Sequence, residues 1–210
     1  MTPGLVPYIT AREGEETDLL SSLCVRGPSS ATRIGYRDEI PSDLGPRGEL
    51  WGRCSQRIGP DRMPIGRPLW RQVHPARQRE TMMKLRCQVC VAPARTAKGT
   101  LFLESAAVKA PAPGSALLTA HPPVCLPHAR ASVEQCAHFA QHGARVLLVR
   151  SAPLYGVMGT GYKLGLAGWQ EVPGVDAPVP YGSPVIRAVL ASQLVRELRD
   201  FTVVQLDELE

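Results

Sequence analysis

Four residues in the middle of the chain have types and spacings that suit metal binding. Cys87 and Cys90 are separated by two residues, and Cys125 and His128 repeat that spacing. A structural zinc ion takes four thiolate or imidazole ligands at the corners of a tetrahedron, and two intervening residues let both members of a pair reach one ion. The two pairs therefore predict one zinc ion held by three cysteines and one histidine.

Two other interpretations of the first cysteine pair stay open at this level. Cys87 and Cys90 are also consistent with plain buried thiols or with a redox pair. A thioredoxin-like pair begins a helix that follows a strand. Here the pair follows a basic, helix-like stretch and precedes Val91-Ala92-Pro93, which weakens the redox interpretation.

The fourth ligand has a competitor. His121 lies four residues before Cys125 and is an alternative to His128. From His121 the chain has to return through two prolines, Pro122 and Pro123, whose φ angles are fixed. Cys125 and His128, in contrast, can both come from a single turn at a helix start, so the spacing favours His128.

The segments around these ligands predict how they are positioned. Residues 75–86 have the character of a helix that leads into Cys87, and residues 128–140 that of a helix after Pro127. Residues 100–104 and 115–120 predict the two strands of a hairpin between the ligand pairs. A knuckle, a hairpin and a ligand-bearing helix make a treble-clef-like zinc module. We therefore expect an α+β fold in which this module lies within a loop-rich α+β domain.

The last part of the chain predicts a strand, a helix and a closing strand. Residues 145–150 are a short apolar run typical of a buried strand. Ser183-Pro184 is a helix-start signal, and the apolar residues that follow it recur every four positions, as in an amphipathic helix. These residues are Ile186, Leu190, Leu194 and Leu198. Residues 201–206 predict the closing strand.

Length and composition define the rest of the organisation. The chain has 210 residues, of which 44% are hydrophobic, enough for a core, while twenty prolines and nineteen glycines imply many loops. We expect four segments: a loop-rich N-terminal segment (1–44), a basic segment with a helix (45–86), the zinc module (87–142) and a strand–helix–strand segment packed on it (143–210).

The basic segment is the candidate interaction surface. Residues 45–86 contain ten basic and three acidic side chains, and such clusters supply the non-specific part of nucleic-acid affinity. The predicted phosphate contacts are Arg71, Arg77, Arg79, Lys84 and Arg86. The chain has twenty arginines and four lysines. This bias equally favours a plain solvated face, so a protein partner is the alternative to nucleic acid.

Several classes of protein are disfavoured. No run of eighteen apolar residues occurs, and residues 1–20 lack an apolar core behind a basic start, so we expect no membrane span and a cytoplasmic location with reduced thiols. Dinucleotide, P-loop, deaminase and triad-hydrolase motifs are missing. A nuclease of the HNH type also places zinc ligands around a hairpin and a helix. Its catalytic set is missing here, since His121 is the only histidine between the ligand pairs and no aspartate or asparagine occurs there.

Three stretches resemble a group of uncharacterised actinobacterial proteins, some of them associated with phages or mobile elements. The stretches are 85–90, 121–130 and 189–200. The resemblance implies a bacterial cytoplasmic protein with a zinc-type module and brings no catalytic residues. Residues and resemblance together predict a non-catalytic structural-zinc protein without a small-molecule cofactor, with weak, non-specific affinity for nucleic acid.

Overall fold

The computed structural model describes residues 5–17, 23–28, 31–108, 112, 114–166, 168–173 and 177–209. Within these ranges the chain forms twelve β-strands and three α-helices. In chain order the elements are β1 (Thr10–Arg12), β2 (Leu23–Arg26), β3 (Arg33–Tyr36), β4 (Leu50–Trp51), β5 (Pro68–Val73), α1 (Pro75–Met83), β6 (Thr100–Ser105), β7 (Leu117–Thr119), α2 (Leu126–Gln135), α3 (Ala137–His142), β8 (Ala144–Ser151), β9 (Leu154–Gly165), β10 (Gly168–Val172), β11 (Val179–Pro180) and β12 (Val189–Val204). The fold is therefore mixed helix and strand, as predicted, with sheet predominating.

One eight-stranded sheet organises the molecule. Its main path runs β10-β9-β12-β8-β6; β11 adds to β9, while β4 and β7 add to β12. Two small two-stranded sheets, β1-β5 and β2-β3, lie beside it. The large sheet takes strands from three of the four predicted segments, and the division of the chain into those segments stays a prediction.

The long strand β12 is the centre of this sheet. Its residues 189–196 pair with β9, and its residues 199–204 pair with β8. The other edge of β12 is taken by β4, in parallel, and by β7, antiparallel. Val189, Leu194 and Leu198 of β12 are completely buried. The first part of β12 is consequently paired on both edges at residues 190–191 and 196, and it forms part of the core.

The helix predicted after Ser183-Pro184 is wrong. The start signal itself works, because the Ser183 side chain accepts a hydrogen bond from the Val185 N–H and a short 3-10 turn covers Pro184–Ala188. From Val189 onward the chain is strand β12. Successive side chains of a strand alternate between its two faces, so residues four apart lie on the same face of a strand. They also lie on nearly the same face of a helix, and the repeat therefore fits both structures. The segment forms a strand and not a helix because β8 and β9 offer it edges to pair with.

The hairpin predicted inside the metal-ligand module is also wrong. Strand β6 matches the predicted first strand, but it pairs with β8. Strand β7 falls within the predicted return segment, yet it pairs with β12. No tight turn joins β6 to β7 in the sequence, so local chain geometry does not enforce their pairing. The knuckle and the ligand-bearing helix are present without the hairpin expected between them.

Helix α1 is fixed to β12 by two buried polar side chains. Gln78 donates from Nε2 to the Ala120 and Leu194 carbonyls at 2.7 and 2.9 Å, and its Oε1 accepts from the Leu194 N–H at 2.8 Å. Arg196 donates to the Met82 and Met83 carbonyls, where a cation suits the negative end of the helix dipole. These hydrogen bonds fix α1 on the sheet, and they thereby position the segment that leads from Met83 to Cys87.

Candidate metal centre

The first ligand pair lies in a tight turn four residues after α1 ends at Met83. The Cys87 N–H donates to the Ala92 carbonyl at 2.8 Å, and the Val91 N–H donates to the Cys87 carbonyl at 2.9 Å. Val91 has a φ of 64°, which is unusual for a β-branched residue and is tolerated where the surrounding structure enforces it. This reversal brings the Cys87 and Cys90 side chains together.

The second ligand pair lies at the start of α2, as predicted. Cys125 is the N-cap residue, its carbonyl accepts from the Ala129 N–H at 2.8 Å, and Pro127 lies in the first turn. The residue before it, Val124, is completely buried and donates its N–H to the Leu101 carbonyl at 2.9 Å. Strand β6 thus positions the helix start. The predicted single helix over residues 128–140 is interrupted at Cys136, between α2 and α3.

The four predicted ligands converge. The sulfurs of Cys87, Cys90 and Cys125 and a ring nitrogen of His128 all lie within 4.8 Å of one another, and they are the only such group found in the described part of the chain. The Cys90 and Cys125 sulfurs are 3.8 Å apart, which equals the sulfur–sulfur edge of about 3.8 Å in a tetrahedron with bonds of about 2.3 Å. These four residues form a potential metal site.

One distance between two ligand atoms is shorter than it would be around a bound zinc ion. The Cys125 sulfur lies 3.1 Å from His128 Nδ1, against about 3.6 Å for a sulfur–nitrogen edge around a zinc ion. An entering ion would have to move this pair apart by about half an ångström. His128 is only partly buried, so its ring has room to make that shift.

The surroundings of the cluster favour neutral thiols until a cation enters. Burial raises the pKa of Cys125 to about 12, and the neighbouring Cys87 adds to this rise. Burial likewise raises the pKa of Cys90. The Val89 N–H lies 3.4 Å from the Cys87 sulfur and donates to it, a contact that a thiolate would strengthen. A metal ion therefore has to displace thiol protons, and its affinity should fall as the pH is lowered.

His121, the alternative fourth ligand, lies elsewhere. Its side chain is 67% exposed, and its Nδ1 faces Glu104 Oε1 at 3.8 Å. Donation of a hydrogen bond from His121 to Glu104 would raise the pKa of His121 above its ordinary value, although 3.8 Å is longer than such a bond. The structure brings His128, and not His121, to the three cysteines.

The five predicted phosphate contacts do not form one surface. The prediction for Arg77 is wrong, because its side chain is completely buried against Glu15 at 2.5 Å and cannot contact a phosphate. Arg79 lies over the Trp51 ring and donates to the Ser42 and Leu44 carbonyls. An arginine in a basic stretch can thus be a structural ion, and the sequence carried no signal for its partner far away in the chain.

The other three predicted contacts are more accessible. Arg71 on β5 and Lys84 after α1 are exposed, while Arg86 is partly buried. Lys84 pairs with Glu80 at 3.0 Å on the helix surface, an arrangement that contributes little to stability. Neither Arg71 nor Arg86 forms an ion pair with the described residues. These three side chains are available to a partner.

A basic cavity that the sequence did not indicate lies at the end of β8. Its volume is about 880 Å³, and its cationic lining residues are Arg95, Lys98, Arg150 and Arg196. The described residues around it include no acidic side chain. Arg95, Lys98 and Arg150 are exposed, whereas Arg196 is buried and burial lowers its pKa to about 10. The four cations come from three separate segments, which is why no local charge run reveals them.

Compared with known protein families, curated proteins and solved structures, the chain gives no match. The resemblance to actinobacterial proteins therefore stays a prediction. Among the described residues, no helix combines the length and the apolar character needed to cross a membrane.

Proposed function

We propose that the protein is a non-catalytic binding module built around one structural zinc ion. The observation that carries the proposal is the convergence of three sulfurs and one imidazole nitrogen within 4.8 Å. Thiolate and imidazole donors suit zinc, and a site with four protein ligands leaves no position for a reacting water. The ion would connect the turn after α1 to the start of α2, across a chain separation of 35 residues between Cys90 and Cys125.

Metal analysis of protein purified under reducing conditions tests the zinc site. We expect about one zinc per chain in the wild type and a large loss in Cys87→Ser and Cys125→Ser. Cys24→Ser is the matched control, because Cys24 is a free cysteine outside the cluster. Full zinc content in both ligand variants, or loss in the control alone, contradicts the proposal.

As its partner we propose nucleic acid, bound weakly and without strong sequence preference. Support comes from the basic cavity, where the exposed Arg95, Lys98 and Arg150 carry no ion pair with a described residue and no acidic lining residue opposes them. Contacts between such cations and phosphates release counterions, so the affinity should fall steeply with salt. The basic cavity replaces Arg77 and Arg79 as the centre of the proposed surface. Arg71, Lys84 and Arg86 remain as further candidate phosphate contacts.

Fluorescence anisotropy with labelled single- and double-stranded DNA and RNA, at low and at physiological salt, tests the partner. Changing Arg95, Lys98 and Arg150 together to Ala should weaken binding and reduce the salt slope by up to about three. The control changes three exposed cations outside that cavity, Arg37, Lys163 and Arg187, and removes the same charge.

Three outcomes would change or overturn the proposal of nucleic acid bound at this cavity. An equal loss in both triple variants would indicate a diffuse charge effect. A loss in Arg71→Ala/Lys84→Ala/Arg86→Ala instead would return the surface to the basic segment. Absence of binding even at low salt would leave a protein–protein module, in which the arginines serve solubility.

A further inference from the structure

The carboxylate of Glu104 on β6 is largely buried, and no described residue gives it a hydrogen bond. The residue is 7% exposed, and its Oε1 has no hydrogen-bond partner. No hydrogen bond from a described residue reaches its other oxygen. Burying a carboxylate oxygen without a hydrogen bond is costly, and such atoms in folded proteins call for an explanation.

Two neighbouring basic side chains do not donate a hydrogen bond to Glu104. His121 Nδ1 lies 3.8 Å away, beyond hydrogen-bond distance. Arg145 stands opposite Glu104 in the register of β8, but its guanidinium donates to the Val108 carbonyl at 3.3 Å. Within the described residues the carboxylate is thus left with hydrogen-bonding capacity that no protein group uses.

A large cavity adjoins this carboxylate. Its volume is about 930 Å³, within the range of small-molecule sites, and Glu104 and His121 are among its lining residues. Most of the wall is apolar and includes Leu5, Val89 and Leu103. Aromatic rings are also present, from Phe139 and from Trp70, whose side chain is 63% exposed. A single buried carboxylate therefore lies in an apolar cavity that also has aromatic walls.

We propose that this cavity binds an organic cation, namely an alkylated ammonium group carried on an apolar body. Its charge would pair with Glu104, its polarised methyl or methylene groups would contact Trp70 and Phe139, and its body would cover the apolar wall. Cations are attracted to aromatic faces, and quaternary ammonium groups are recognised in this way. An anion would be repelled by Glu104, and a neutral apolar molecule would not interact with the charge of the carboxylate.

The cavity also adjoins the candidate metal centre. Gln88 and Val89, the two residues between Cys87 and Cys90, line it. Metal binding by the flanking cysteines would fix the backbone of this wall. The cation site is argued from Glu104 and the aromatic rings, so it does not depend on nucleic-acid binding. The experiment uses the full-length, metal-loaded protein.

Isothermal titration calorimetry with benzyltrimethylammonium, with 2-phenylethanol as a neutral probe and with phenylacetate as an anionic probe tests the charge preference. The wild type should bind the ammonium probe at least about tenfold more tightly than either of the others. Glu104→Gln should remove that preference, whereas Glu134→Gln, a matched change of an exposed glutamate on α2 outside the cavity lining, should retain it. Equal affinities for the three probes, or undetectable binding of the ammonium probe at millimolar concentration, would overturn the proposal.

Thermal unfolding distinguishes a binding carboxylate from a structural one. Because Glu104 lacks hydrogen-bond partners, Glu104→Gln should melt at the same temperature as the wild type or higher. If that variant fails to fold, Trp70→Ala decides, since its exposed ring can be removed without opening the core. Weaker ammonium binding by a folded Trp70→Ala supports the site, and unchanged binding contradicts it.

The source of the cation is resolved by a second pair of probes. A peptide that carries one trimethyllysine is compared with free benzyltrimethylammonium. Tighter binding of the peptide, lost on replacing trimethyllysine by unmodified lysine, indicates a modified protein as the ligand. Tighter binding of benzyltrimethylammonium than of the peptide indicates a free small molecule. Both results retain the shared ammonium chemistry.

Discussion

Glu15 and Arg77 lie 62 positions apart in the chain and form a bidentate ion pair that is almost completely removed from solvent. Arg77 Nη1 donates to Glu15 Oε1 at 2.5 Å, and Nη2 donates to Oε2 at 2.7 Å. Nη2 also donates to the Thr10 carbonyl at 2.9 Å. The pair connects the N-terminal segment to α1, and so to the helix that precedes the metal centre.

Replacing Glu15 by Gln should lower the free energy of unfolding by about 3–5 kcal/mol, because it leaves the Arg77 charge buried and unpaired. Denaturant unfolding at neutral pH measures the change. Glu13→Gln is the control, since Glu13 is exposed and 3.6 Å from Arg67, where a pair contributes little. Similar stability of the two variants would show that the buried pair is not required.

The same pair predicts a dependence of stability on pH. Burial raises the pKa of Glu15, but hydrogen bonds from Arg77 and from the backbone N–H groups of Arg12 and Arg57 outweigh it and lower the pKa to about 2. The ordinary value is 4.5. A depressed folded-state pKa contributes stability that is complete above the ordinary value and is lost as the pH falls from about 4.5 toward about 2. Glu15→Gln should lack that part of the acid transition, which unfolding at pH 6, 4 and 3 would reveal.

Removing the metal should destabilise the contact between the turn after α1 and the start of α2. We expect a chelator to lower the melting temperature of the wild type, because four-ligand sites contribute directly to folding. Cys90→Ser should already melt at a lower temperature and respond little to the chelator. Differential scanning calorimetry with and without chelator measures both effects. An unchanged melting temperature after complete metal removal would rule out a structural role for the ion.

Val91 offers a test of the backbone strain in the turn. Its φ of 64° lies in the left-handed region, which costs an L-residue about 1–2 kcal/mol and glycine much less. Val91→Gly should therefore retain the metal and leave stability unchanged or raise it slightly. Val91→Pro, which cannot adopt a positive φ and lacks the N–H that bonds the Cys87 carbonyl, should lose the metal. Metal analysis and thermal unfolding of both variants check this.

Gln78 should be a second sensitive polar residue of α1, beside Arg77. Changing it to Ala removes its three hydrogen bonds and leaves the buried N–H and carbonyl of Leu194 and the partly buried carbonyl of Ala120 unsatisfied, at a cost of about 1–3 kcal/mol or more. Gln135→Ala, at an exposed position on α2, should change stability by about 0.5 kcal/mol or less. Hydrogen exchange at the Leu194 amide reports the loss directly, and unaltered protection there would contradict the role assigned to Gln78.

The metal ligands were predictable from the sequence because their geometry is local. Two residues between ligands restrict a pair to one turn, and Pro127 after Cys125 indicates a helix start in any tertiary context. The remaining uncertainty, the choice between His121 and His128, was resolved in the predicted direction. The core strands β6 and β8 were also predictable, since short apolar runs of that kind form strands in most settings.

The tertiary structure decided everything that depends on a distant partner. Residues 189–204 became a strand because β8 and β9 offered edges to a stretch whose four-residue repeat fits both helix and strand. Arg77 became a buried ion because Glu15 folds back onto α1, and Glu104 faces a cavity assembled from residues spread along most of the chain. Ligand spacing is set by bonds along the chain, whereas strand pairing, burial and charge compensation are set by contacts between residues that the sequence separates widely.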